Sequence, residues 1–452
     1  MKSLTAKQAL LPDGWRENIR IDVGADGRIA NIRNATEVAA SSIGILLPAP
    51  TNLHSHAFQR AAAGMTERRG PDPQDSFWTW RQQMYRFLDH LTPDDVQNIA
   101  ALVQMEMLEA GYAAVAEFHY LHHQPGGQLY DNIGEMSDRI AAAAADTGIG
   151  LTLLPVLYRY GGCDRRPLGK GQIRFGCTQD QFAKVLNHAR KAITSLPSDA
   201  RIGIAPHSLR AVAPDDLAFV TTLMPEAPLH MHLAEQVAEV DEVQAYLSAR
   251  PTQWLLDNQN VDSRWCLIHC TQLVPEETKR LAESGAVVGL CPITESSLGD
   301  GIFDGVRFAE CSGRFGIGSD SNIRISLSEE LRTFEYSQRL RDRGRALLAK
   351  PDRSTGRVLY DAAVLGGAAA AGRPSGAITV GAFADLMALD CDAVDLSGKR
   401  GDDVLDSYIF AGDDRMVSDV WSAGRHVVKN GQHIHRERIV ARYRQTMSKL
   451  RA

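Results

Sequence analysis

Two textures of apolar and polar positions divide the chain. Over the first forty-odd residues they alternate, as in Ile19-Arg20-Ile21-Asp22-Val23 ahead of the turn signal Gly24-Ala25-Asp26-Gly27. A period of two with such turns predicts short half-buried strands joined by hairpins. The texture returns at Asp385–Asp390 and at Val417–Trp421, before a hairpin centred on Asn430-Gly431. Between about Leu47 and Pro374, apolar runs of strand length alternate with longer helical segments, the pattern of βα units around a parallel sheet. Eight runs are predicted as strands: 44–47 leading to Asn52, 113–118, 150–157, 201–205, 229–233, 265–268, 286–290 and 314–317. One predicted helix, Asp94–Glu109, shows every signal: Thr92 as N-cap, Pro93 at the first position and Gly111 just past the end.

Eight strands alternating with helices predict an α/β fold, a (β/α)8 barrel of the TIM type, over residues 48–374. The β-rich ends, residues 1–47 and 375–452, predict one small β-sandwich built from both termini. At 452 residues the chain is long enough for both.

Composition narrows the function. An apolar share of 44% and a charged share of 23% are ordinary for a soluble enzyme. A formal net charge of −6 gives no general attraction to nucleic acid or to an anionic membrane. No secretory leader and no run of membrane-spanning length is legible, so a cytoplasmic protein is expected. Seven scattered cysteines read as free thiols, and Cys266 and Cys270, which flank His269, read as small buried apolar groups.

Barrels of this kind carry their chemistry at the C-terminal ends of the strands. There the chain places Asn52-Leu53-His54-Ser55-His56 after the first run, and residues two apart in extended backbone can face one metal ion. After the fifth run comes His230-Met231-His232-Leu233-Ala234-Glu235. Position at the strand end favours His232 over the deeper His230 as a third ligand, and Glu235 is expected just above, as a proton shuttle. His269 follows the sixth run and Asp320 the eighth. Asp320 is expected as a hard oxygen ligand that also takes a proton from water, and His269 as the group that orients that water. A second His-x-His, His433 and His435, lies outside any barrel strand and is read as an exposed strand or tail feature. His119, His122 and His123 lack an acidic partner and are not read as a second metal site.

The segments 52–64, 75–81, 116–123, 205–212, 230–236, 269–270 and 316–322 come in the order and context of the amidohydrolase superfamily. The chain resembles that superfamily over nearly its whole length, and within it the formimidoylglutamate deiminases of histidine degradation. The resemblance implies one divalent metal, zinc, held by His54, His56, His232 and Asp320. It also implies an acid–base pair of Glu235 and His269, and substrate contacts from Gln59, Arg81, Tyr120, His207 and Arg210. Pro48-Ala49-Pro50 departs from the Pro-Gly that often precedes the first motif, and leaves the metal pair intact. The fourth run ends in His207, not in the lysine that bridges two metals in other members, which favours a single metal.

The residues themselves point to an anionic substrate. Arg60, Arg81 and Arg210 lie on three loops expected at the barrel mouth, and guanidinium forks bind carboxylates in pairs. Phe77, Trp78 and Trp80 fit a pocket wall or a packing cluster equally. The expected reaction is hydrolysis of N-formimino-L-glutamate to N-formyl-L-glutamate and ammonia. The alternative is another single-metal aminohydrolase, such as a nucleobase or nucleoside deaminase. No nucleic-acid or membrane partner is expected, and a homodimer is expected from the resemblance and from enzymes of this size.

Overall fold

The computed structural model describes residues 2–36, 42–65, 67, 84–85 and 87–451. The N-terminal strands are β1 (Lys2–Leu11), β2 (Gly14–Val23), β3 (Ile29–Asn34) and β4 (Ile43–Pro48). Then come β5 (Thr51–Ser55), β6 (Ala114–His119), β7 (Gly150–Leu157), β8 (Arg201–Ile202) and β9 (Ala205–Pro206). They are followed by β10 (Leu229–Leu233), β11 (Trp265–His269), β12 (Val287–Leu290) and β13 (Arg314–Ile317). The last strands are β14 (Leu386–Leu389), β15 (Val417–Ser422), β16 (Arg425–Lys429) and β17 (Gln432–His433).

β5 to β13 make the barrel. Parallel ladders run β5-β6-β7 and on to β8 and β9, which are two halves of one interrupted strand, and separately through β10-β11-β12-β13. Two bridges close the ring: Ile204 pairs with Leu229, and Ser55 at the end of β5 pairs with Asp320 beyond β13. Every residue of β6, β7, β10, β11 and β12 is buried, as expected for parallel strands covered on both faces. The helix Thr355–Ala370 seals the seam between β13 and β5. Gly366 and Gly367 allow that contact, since a Cβ there would stand 1.9 Å from the Phe315 carbonyl oxygen and 2.5 Å from that of Thr51.

The two chain ends share one eight-stranded sheet in the order β17-β16-β15-β14-β4-β1-β2-β3. It curls until the turn at Gly27 lies against Ala423, enclosing Ala9, Ile21, Leu46, Leu386 and Trp421. One expectation is corrected here. Residues 44–47 belong to β4, which pairs with β1 and β14, and the first barrel strand is β5. Pro48 and Pro50 explain the break: they lack amide donors, so a single ladder cannot run through them, and the chain passes from one sheet to the other.

The predicted helix is Pro93–Glu109, with Thr92 and Asp95 forming a reciprocal cap. The C-terminal end is not all strand, for Arg436–Arg451 is a helix packed on Pro93–Glu109 and tied to it by Lys449 on Asp95 at 2.8 Å. His433 is buried, not exposed, and its Nε2 bonds the Thr147 carbonyl at 2.8 Å. No helix among the described residues is long and apolar enough to cross a membrane.

A buried ionic cluster fastens the sheet to the floor of the barrel. Arg373 donates to both carboxylate oxygens of Asp385 at 2.6 and 3.0 Å and to Asp199 at 2.7 Å, while Arg425 of β16 holds both oxygens of Asp199 at 2.7 Å. Removing one partner of such a cluster leaves buried charge unpaired, at a cost of about 3–5 kcal/mol. Arg373→Met is therefore expected to lower the urea midpoint with a loss of about 3–5 kcal/mol. A midpoint equal to that of the parent protein would show that the cluster does not hold the two parts together.

Candidate active site

The C-terminal ends of β5, β10, β11 and β13 deliver their polar side chains to one point. Pairing of β5 with β6 shifts register between Asn52 and Ser55, and within this irregular stretch His54 and His56 both turn toward the barrel axis. His54 Nε2 lies 3.1 Å from His232 Nε2 and 3.3 Å from Asp320 Oδ1. His56 Nε2 lies 3.3 Å from His232 Nε2 and 3.2 Å from Asp320 Oδ1. His230 stays deeper, with its Nε2 on the Ala370 carbonyl at 2.7 Å, as strand position predicted.

Asp320 is held by main chain as well as by its surroundings. Its N–H donates to the His54 carbonyl and its own carbonyl accepts from His56 N–H, each at 2.9 Å. Gly318 must be glycine for this approach, because a Cβ would lie 2.7–2.8 Å from atoms of His54. Asp320, His269, Cys270 and Ala234 all have positive φ, from 44° to 70°. Non-glycine residues rarely adopt this region, at about 1–3 kcal/mol each, and such strain gathers where side chains must be aimed.

The tautomers follow from the partners. His56 Nδ1 is 3.0 Å from the Phe118 carbonyl and His232 Nδ1 is 3.2 Å from the His207 carbonyl. A carbonyl only accepts, so both Nδ1 atoms carry hydrogen and both Nε2 atoms present lone pairs. Burial, reinforced by His56, pushes His54 down to about 3, and burial with the neighbouring imidazoles holds His232 well below its usual range.

Above this point sits a layer of ionisable side chains. Glu235 Oε1 is 3.9 Å from His269 Nε2, and its other oxygen is 3.5 Å from Arg210. Glu239 accepts the N–H groups of Ala234 and Glu235, fixing the turn that carries Glu235. Burial raises the Glu235 carboxyl, against the pull of His269 and Arg210. Burial would lower His269, but Glu235, the hydrogen bond to Glu295 and Asp320 outweigh it and bring the imidazole up to about 10.

The cavity over the layer is lined by Gln59, Tyr120, His207 and Arg210, together with Tyr85, Tyr158, Phe175 and Arg166. Gln59 Nε2 donates to the Tyr120 hydroxyl at 2.8 Å. Arg81, like Phe77, Trp78 and Trp80, falls outside the described residues. Arg60 turns away from the cavity, binding the carbonyls of Asn322 and Ile323 at 2.8 and 2.9 Å and Glu106 at 2.9 Å. His122 and His123 bond the carbonyls of Val156 and Gly176, and no metal-binding cluster among the described residues includes them or His119. Glu295 was missed by the sequence reading. It grips His269 from the turn after β12, a strand end at which no carboxylate had been sought.

Residues 45–427 match the amidohydrolase family. The chain belongs to that family. Residues 1–42 match the N-terminal domain of formimidoylglutamate deiminase HutF. The amidohydrolase is 47% identical to a formimidoylglutamate deiminase of Pseudomonas aeruginosa, with all of both chains covered. It is 27% identical to a 5-methylthioadenosine/S-adenosylhomocysteine deaminase of Natronomonas pharaonis over 93% of this chain and 89% of that one. Among solved structures, an amidohydrolase from Brucella melitensis superposes with a TM-score of 0.96 at 47% identity, covering both chains fully. An adenosine deaminase from Xanthomonas campestris with bound zinc shares the fold, with a TM-score of 0.82 at 22% identity over 99% of this chain and 98% of that one.

The family is metal-dependent, and the four converging side chains fit a divalent ion. Lone pairs of His56 and His232 aimed at each other across 3.3 Å repel unless a cation lies between them. A tetrahedral shell with bonds of about 2.0–2.1 Å puts its donor atoms about 3.3–3.4 Å apart, beside the 3.1–3.3 Å separations found here. The amidohydrolase is therefore expected to purify with about one equivalent of divalent metal, and His232→Ala with well under half of that, by elemental analysis. Full metal content in the variant would remove His232 from the shell.

Proposed function

We propose that this amidohydrolase hydrolyses N-formimino-L-glutamate to N-formyl-L-glutamate and ammonia, using one zinc ion held by His54, His56, His232 and Asp320. The observation that carries the reading is full-length 47% identity to a formimidoylglutamate deiminase, joined to the match of residues 1–42 to the N-terminal domain of that enzyme. Three imidazoles and a carboxylate are a donor set that suits zinc.

A zinc ion in this shell supplies Lewis acidity, lowering the pKa of water toward about 7. The protein's own groups do the rest. Arg210 and His207 on the cavity wall, with Arg81, engage the carboxylates, and Gln59 and Tyr120 close around the chain between. Water is deprotonated by Asp320 while His269 Nε2 holds the attacking oxygen. Its addition to the formimino carbon gives a tetrahedral adduct. Glu235, whose burial favours the protonated form, delivers a proton to the terminal nitrogen. The nitrogen then takes up the proton held by Asp320, the adduct's hydroxyl proton passes to the ionised Glu235, the carbon–nitrogen bond breaks as the carbonyl forms, and ammonia leaves with both carboxyls back in their starting forms.

The proposal extends to a small anionic substrate as the partner, a homodimer and the cytoplasm. The seven cysteines are all unpaired, which accords with a reducing compartment.

Ammonia release assayed with N-formimino-L-glutamate, guanine and 5-methylthioadenosine under identical conditions tests the reading. Turnover is expected on the first, with kcat/KM at least about 100-fold above the others, because the guanidinium groups go unmatched by a neutral ring. Preference for a purine would overturn it.

A further inference from the structure

The short helix Pro292–Leu298 follows β12 and has no part in the proposed metal shell or acid–base pair. Glu295 lies on its first turn with its carboxylate buried. One oxygen, Oε1, accepts the Cys291 N–H at 2.8 Å and faces His269 Nδ1 at 3.2 Å. Oε1 already accepts one N–H, and an oxygen that serves as acceptor there offers His269 a lone pair, so in this pair it is Nδ1 that carries the hydrogen. The chemically active nitrogen of that ring is then Nε2, on the side facing Glu235.

The ring is buried, and packing alone does not tell its two nitrogens apart. His269 ends β11 with φ +70°, which turns its Cβ away from the direction a regular strand would give it. The His232 ring stacks on one face at 5.6 Å and 24°, setting the plane without choosing between the two nitrogens. Only a hydrogen-bond partner does that. Thr294, next to Glu295, bonds Ser321 Oγ at 3.0 Å and the Ser319 carbonyl at 3.4 Å, on either side of Asp320. One turn thus steadies both the imidazole and the loop of the carboxylate below it.

We infer that Glu295 is a positioning residue of this active site, acting through His269 by holding Nδ1–H and so presenting Nε2 to the reacting atoms. The inference rests on the reading above only in giving His269 a place beside those atoms. Partners at one remove from the reacting groups commonly change activity by about 10- to 100-fold.

Glu295→Ala and Glu295→Gln, each purified with its metal, test this beside the wild-type enzyme. Glu295→Ala is expected to lose about 10- to 100-fold in kcat with KM within about two-fold and metal content unchanged, since substrate affinity and the shell lie elsewhere. Glu295→Gln keeps the shape and an accepting oxygen but not the charge, and is expected between the two; it carries the test if the alanine variant does not fold. Imidazole 15N–1H spectra supply an independent readout. The Nδ1–H signal of His269, assigned by its absence in His269→Asn, is expected in wild type and lost or shifted strongly in Glu295→Ala. A folded, metal-replete Glu295→Ala with kcat within about two-fold of wild type, or a kcat that falls only in step with lost metal, would overturn the inference. So would an unchanged Nδ1–H signal. Wild-type protein that gives the signal but releases no ammonia from N-formimino-L-glutamate would sink the substrate reading and leave Glu295 in place.

Discussion

Three imidazole nitrogens and a carboxylate oxygen crowded together, out of water, are the arrangement on which the rest of this molecule depends. His56 and His232 have given their Nδ1 hydrogens to backbone carbonyls, so what they turn toward each other is electron density. Such a cluster is unfavourable alone and favourable around a cation. The features that build it run against local preference. The register shift in β5, the positive φ of Asp320 and the missing side chain at Gly318 are all tolerated because a closed barrel determines the backbone on every side.

Charge around the site is layered. At the bottom, three neutral imidazoles and one carboxylate, Asp320, would leave net positive charge around a bound divalent ion. One layer up, Glu235, Glu239 and Glu295 surround Arg210 and His269. Arg210 pairs with Glu235 at 3.5 Å and with Glu239 at 3.7 Å, so its guanidinium on the cavity wall is steadied from behind. The same pairing ties the cavity wall to the turn that carries Glu235. Arg210 and Glu235 are thus neighbours in space although they come from the ends of different strands.

Much of this was legible in the sequence because strand ends are legible. Apolar runs mark where buried strands stop: His54, His232 and His269 lie within the last two residues of β5, β10 and β11, and His56, Glu235 and Asp320 stand just past an end. What pattern could not supply was the hand-over between sheets. Residues 44–47 read as the first barrel strand, since a run cut by Pro48-Ala49-Pro50 looks continuous until its pairing partners are known. Arg60 shared the credentials of Arg210, and only coordinates show its guanidinium spent on the carbonyls of Asn322 and Ile323. Glu295 was invisible for the opposite reason: a glutamate in a helical turn is the commonest of surface residues, and nothing local marks this one as buried against an imidazole. The final helix, Arg436–Arg451, hid behind the β texture just before it.

The central claim is that one metal ion joins His54, His56, His232 and Asp320. Diffraction from crystals of the protein as purified, recorded on both sides of the zinc absorption edge, addresses it directly. The account predicts a single anomalous peak about 2.0–2.2 Å from the three Nε2 atoms and the Asp320 carboxylate. No peak there, with the four side chains bonded only to one another or to water, would contradict it.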